Sequence, residues 1–107
     1  MSAQDGHMRI QLLYFEGCPN WQLADARLRE ALDTVASAAK VERVLISTPE
    51  EAQAWAFRGS PSVLIDGRDP FADERDPIGL SCRLYRTAVA VEGSPTVEQL
   101  VKVLSRG

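Results

Sequence analysis

The sequence predicts a mixed α/β domain of order β-α-β-α-β-β-α, a four-stranded mixed sheet with helices on both faces. Three observations predict it. The segment Arg9–Phe15 carries apolar residues on both sides of a period-two pattern, and from Pro19 the apolar spacing becomes helical. β-branched runs stand at Val41–Ser47 and Ser62–Asp66, each next to turn or capping residues. A chain of 107 residues, 45% hydrophobic and 25% charged, suits one globular domain with one core.

The elements follow in order. In Arg9–Phe15, Ile10, Leu12 and Tyr14 face one way and Leu13 and Phe15 the other, the mark of a central strand covered on two faces. Trp21, Ala24, Leu28, Ala31, Leu32, Val35 and Ala39 then form one stripe of a long amphipathic helix, with Asp25, Arg27, Arg29, Glu30 and Asp33 mostly between them. Val41–Ser47 is the second strand, and a right-handed crossover makes it parallel to the first. Thr48, Pro49 and Glu51 spell a capping box with proline at the first position of a short helix, which runs through Trp55 and stops near Gly59. Ser62–Asp66 is the third strand, and Asp66-Gly67 a turn. Arg68–Ser81 is too polar and proline-broken for regular structure. CRLYRT, from Cys82, reads as the fourth strand, forming a hairpin with the third, and AVAVEGSP as an irregular connection. Thr96 and Gln99 cap a last helix that buries Val97, Leu100, Val101 and Leu104.

Residues 1–8 read as a flexible lead-in and residues 9–107 as the single domain. The start, MSAQDGHMRI, has no charged stretch followed by an apolar one, so it does not read as a signal peptide, and a reducing cytoplasm is the expected compartment. A net charge of −3 argues against a nucleic-acid partner, and no apolar run is long enough to span a membrane. His7, alone in the lead-in, is not expected to be catalytic. Two cysteines and that histidine do not build a structural zinc site, so neither a metal nor a cofactor is expected. In a reducing compartment a lasting disulfide is disfavoured, and a reactive thiol or a transient disulfide is the alternative.

Cys18 stands where the first strand meets the first helix, after Gly17 and before Pro19. With the helix starting at Pro19, Cys18 is its cap, and unpaired N–H groups and the helix dipole favour an anion there. Thiolate is the reactive form of cysteine, so Cys18 is expected to react faster than Cys82. The competing reading is a buried cysteine that fills core space. In Arg58–Ile65, Pro61 precedes a strand after Gly59 and Ser60. Either a built-in cis bond or a trans proline opening an edge strand fits that position.

Together, the motifs GCPNW and GSPS in this element order resemble the thioredoxin-like fold family in its compact, glutaredoxin-sized form, over roughly residues 9–105. The longer pattern FRGSPSVLIDGRDPFADERDPIGLSCRLYRT is similar to a group of small bacterial thioredoxin-like proteins, some labelled alkylmercury lyase. The resemblance implies that Cys18 is the attacking thiol and Pro61 the cis proline beside it. It also implies that Pro19, Trp21, Ser60 and Pro61 border a groove for a small thiol or a protein disulfide. One departure stands out: Trp21 occupies the place of the resolving cysteine in Cys-x-x-Cys.

Cys82 is the alternative resolving thiol. An ordinary hairpin would hold it at the far end of the sheet, whereas a loop folding back over the third strand would bring it to Cys18; a half-buried structural thiol is the other reading. Asp69, Asp73, Glu74 and Asp76 lack calcium-loop spacing and read as a solvated face. Trp21 and Trp55 read as packing residues, with Trp21 also walling the thiol site. Three functions compete: a thiol-dependent oxidoreductase or thiol-transfer protein, with Cys82 or a small external thiol releasing the mixed disulfide; a redox-inactive binding module using the groove beside Pro61; and a soft-metal handler binding mercury through its thiols.

Overall fold

The computed structural model describes residues 8–73, 75–88 and 90–106. The expected lead-in over residues 1–8, His7 included, lies almost wholly outside the described residues, as does Glu74. The first strand, β1 (Ile10–Tyr14), leads to α1 (Trp21–Thr34), β2 (Val41–Leu45), α2 (Pro49–Trp55) and β3 (Ser62–Ile65). Then come β4 (Tyr85–Arg86), β5 (Val91–Glu92) and α3 (Val97–Arg106).

The main sheet has the order β2-β1-β3. β1 runs parallel to β2, with Leu12 opposite Arg43, and antiparallel to β3, with Leu12 opposite Val63. As the central strand, β1 is buried on both faces. Ile10 and Leu12, with Val63 and Ile65 of β3, pack beneath Ala24, Leu28, Ala31, Leu100 and Leu104 of α1 and α3. On the opposite face Leu13 and Leu64 meet Ile46, Ala52 and Phe57. Truncating any of the fully buried leucines to alanine costs about 2–5 kcal/mol.

Both expected capping boxes form. The Thr48 hydroxyl accepts from the Glu51 N–H while the Glu51 carboxylate accepts from the Thr48 N–H. Thr96 and Gln99 reproduce the arrangement at α3.

The fourth strand is a correction. CRLYRT is not a full strand beside β3. Only Tyr85–Arg86 is a strand, and it pairs with β5, inside the stretch expected to be irregular. The main sheet therefore has three strands and a separate ribbon has two. The cause lies at the turn. Asp66 and Gly67 both have positive φ, the geometry of a tight hairpin turn, so the chain does reverse. Pairing ends after the single Ile65–Arg68 bridge. Asp69 then leaves the edge for a buried ion pair, and Pro70 has no N–H to extend the ladder.

Trp55 is a second correction: it is 37% exposed rather than packed in the core. Ala56 takes the left-handed conformation just after α2 and swings Phe57, not Trp55, into the lower core, where it is fully buried. No helix among the described residues is long and apolar enough to cross a membrane.

Candidate functional site: two thiols around Ser60

The site is organised by Ser60. It is completely buried, and the peptide bond that follows it, to Pro61, is cis. All of its backbone polar groups are used. Its N–H donates to the Ser81 carbonyl at 2.7 Å, and its carbonyl accepts from the Arg83 N–H at 2.9 Å. These two bonds make a one-residue parallel bridge between Ser60 and Cys82. The same Ser60 carbonyl lies 3.4 Å from the Cys18 Sγ, which donates to it. The Ser60 hydroxyl accepts from the Phe15 N–H at the end of β1. One serine thus ties together the segments that carry the two cysteines.

Cys18 arrives here by a turn. Its N–H bonds back to the Phe15 carbonyl at 3.1 Å, closing a reverse turn through Glu16 and Gly17. The thiol is buried, at 3% exposure. It is not the helix cap, and this corrects the expectation from sequence. α1 begins at Trp21, with Asn20 as its N-cap, and Asn20 makes no side-chain capping bond. The Asn20 side chain instead lies against Gly93, where any Cβ would collide with it. The thiol therefore meets the carbonyl of Ser60 rather than the free N–H groups of the helix.

Cys82 arrives by the long loop, which folds back over the start of β3. Gly59 makes this possible. Its φ is +111°, and a Cβ there would stand 3.0 Å from the Arg83 Cβ and 3.1 Å from the Ser81 carbonyl. The incoming segment is then locked from behind. The Arg83 guanidinium, 6% exposed, forms an ion pair with Asp69, donates to the Ser62 Oγ at 3.0 Å and lies 4.7 Å from the centre of the Tyr85 ring. The Tyr85 hydroxyl donates to the Pro61 carbonyl, and burial pushes the Tyr85 phenol well above its usual range. Arg58 ties down the middle of the loop by donating to the carbonyls of Asp73 and Asp76.

The two thiols consequently meet. Both are free, Cys18 buried and Cys82 exposed, and both lie against Ser60, near enough for the Cys18 side chain to act on the Cys82 thiol. Partial burial, then the negative charge of Cys18, then the hydrogen bond between them push the Cys82 thiol up.

Of the residues expected to border a groove, Ser60 and Pro61 are enclosed by the chain itself, while Pro19 is exposed. Trp21 is half-buried, stacked on Tyr14 with ring centres 4.4 Å apart, and Arg43 lies over its ring. Asp69 departs from the solvated face expected of the loop acids, because its side chain is buried with Arg83; Asp73 pairs with the exposed Arg75. Sequence reasoning missed Gly59, Asp69, Arg83 and Tyr85 as residues that shape the site. The structure alternates Cys82 and Leu84 exposed with Arg83 and Tyr85 buried, but the sequence carries no such signal, because it buries the charged residue and exposes the leucine. Among the described residues, no group of three or more histidine, cysteine, aspartate or glutamate side chains is placed to hold a metal ion. The chain matches no family model and no curated protein.

Proposed function

We propose that the protein is a thiol–disulfide oxidoreductase whose redox pair is Cys18 and Cys82. The observation that carries this reading is the meeting of the two thiols at Ser60, from positions 64 residues apart in sequence (82 − 18). In the reduced protein the two thiols give up two electrons and two protons and become one disulfide. A substrate disulfide takes them up and becomes two thiols. A small external thiol then returns the protein to its reduced form, with the matching disulfide as product. The absence of a second cysteine at position 21 is no obstacle, since Cys82 supplies the resolving sulfur from the loop.

The strand order β2-β1-β3, with a thiol at the β1–α1 junction facing the residue before a cis proline, supports the thioredoxin-like reading of the fold. A reducing cytoplasm is the compartment in which such a pair would cycle.

The test is oxidation of the folded, reduced protein with a mild disulfide oxidant, followed by peptide mapping without reduction. The expected product is a single internal disulfide between Cys18 and Cys82, which a small dithiol reduces. Separate adducts on the two cysteines, with no internal disulfide, would overturn the reading. A second reading rests on the same adjacency: two neighbouring thiolates suit a linear soft-metal ion such as mercury, as the resemblance to alkylmercury-lyase-labelled proteins implies. It predicts one mercuric ion per chain, lost on substitution of either cysteine, in a protein that forms no internal disulfide.

A further inference from the structure

We infer that an outside disulfide reacts first at Cys82, and that Cys18, the cysteine of the strand–helix junction, is the resolving thiol. The inference rests on the oxidoreductase reading and assigns the order of events within it.

Access decides the order. Cys18 is 3% exposed and lies against Ser60, to which the segment Ser81–Arg83 is held on both sides by backbone bonds. That segment does not swing away freely, because its Arg83 is anchored in a buried ion pair with Asp69 and a bond to Ser62. Removing it would strand a buried guanidinium without its carboxylate. Cys82 is exposed. In the parallel bridge the Ser81 carbonyl and the Arg83 N–H point to Ser60, so the N–H and carbonyl of Cys82 itself point away from it, where no group among the described residues pairs with them. Exposed Leu80 and Leu84 stand on either side of it in sequence. An entering disulfide reaches this open side and does not reach Cys18.

The chemistry balances in two steps. Cys82 gives its proton to solvent and becomes the thiolate, while Cys18 donates to the Ser60 carbonyl. The Cys82 sulfur attacks one sulfur of the substrate disulfide; the substrate S–S bond breaks, a Cys82–substrate disulfide forms, and the other substrate sulfur leaves as thiolate and takes a proton from solvent. Cys18 then gives up its proton and its sulfur attacks the Cys82 sulfur from inside. The Cys82–substrate bond breaks, the Cys18–Cys82 disulfide forms, and the second substrate sulfur leaves as thiolate and takes up the proton that Cys18 released. Cys18 needs no access to solvent for this step, only its contact with Cys82. In reverse, an external thiol attacks the exposed Cys82 sulfur of the oxidised protein and expels Cys18.

The test uses the full chain with Cys18→Ser and Cys82→Ser, each shown to be folded by circular dichroism, and a neutral aromatic disulfide as the probe. At neutral pH, Cys18→Ser is expected to form its mixed disulfide at least about tenfold faster than Cys82→Ser, because exchange needs both thiolate and access. Equal rates, or faster reaction of Cys82→Ser, would overturn the inference. Should either variant fail to fold, limiting neutral haloacetamide on the reduced wild-type protein gives the same reading: the first alkylated peptide carries Cys82 if the inference holds and Cys18 if it does not. The oxidoreductase reading fails separately, by the wild-type protein forming no internal disulfide.

Discussion

At the scale of single residues, Ser60, next to the cis proline, has its N–H, carbonyl and hydroxyl all bonded within the chain, to Ser81, Arg83, Cys18 and Phe15. Its neighbour across the bridge, Cys82, has its thiol pushed up by partial burial and then by the charge and side chain of Cys18. Substituting Cys18 by serine removes the charge, so less opposes ionisation of Cys82. The midpoint of the pH–rate curve for alkylation of Cys82, followed by peptide mapping, is expected to fall in Cys18→Ser relative to the wild type. An unmoved midpoint would mean that the two sulfurs do not sense one another.

At the scale of elements, α1 is fixed to the sheet by more than its apolar stripe. Asp25, buried on α1, accepts from Arg43 of β2 at 2.8 Å and from Arg29 one turn along the helix at 3.0 Å. Burial alone would raise the Asp25 carboxyl, but the hydrogen bonds from Arg43 and Arg29 and their positive charge hold it below the usual aspartate range. A carboxyl depressed in the folded state stabilises the fold fully above its unfolded value, and that stability is lost as pH falls through the folded value. Asp25→Asn is expected to cost about 1–2 kcal/mol at neutral pH, because both arginines stand largely in water and the pair is screened. The variant should also lose less stability than the wild type on acidification below about pH 4. Urea unfolding at neutral and acidic pH measures both effects. At the other end of the molecule, Arg27 of α1 reaches Glu92 and the carbonyls of Ser94 and Pro95, which fastens the β5–α3 connection over the same helix.

At the scale of the whole molecule, the long loop is a packed strap between β3 and β4. Its two ends are joined by the ion pair of Asp69 with Arg83, and its middle is held by Arg58. The strap places Cys82 on Ser60. Asp69→Ala is therefore expected to act twice. It leaves Arg83 buried without its carboxylate, at a cost of about 3–5 kcal/mol. It also loosens Ser81–Arg83, so the internal disulfide should form more slowly at a given oxidant concentration. Thermal unfolding gives the first effect, and mapped disulfide yield against time the second. A destabilised variant that closes the disulfide at the wild-type rate would show that the strap does not position Cys82.

Local rules determined much of this protein. The two capping boxes, the central burial of β1, the Asp66-Gly67 turn, and the junction position of Cys18 all follow from residues within a few places of one another, and periodicity and turn chemistry read such neighbours directly. Other features came only from tertiary structure. The helix start moved from Pro19 to Trp21 because Asn20 packs against Gly93, a residue 73 positions away (93 − 20). Phe57 took the core place expected of Trp55 because Ala56 turns left-handed at the end of α2. The expected fourth strand shrank because Asp69 found Arg83 across the loop. Whether Cys82 meets Cys18 was settled in the same way: a loop that could equally have closed an ordinary hairpin is folded back by a glycine without a Cβ, a buried ion pair and two bonds to one serine. Contacts between residues far apart in sequence leave no periodic trace in it, and it is those contacts that brought the two thiols together.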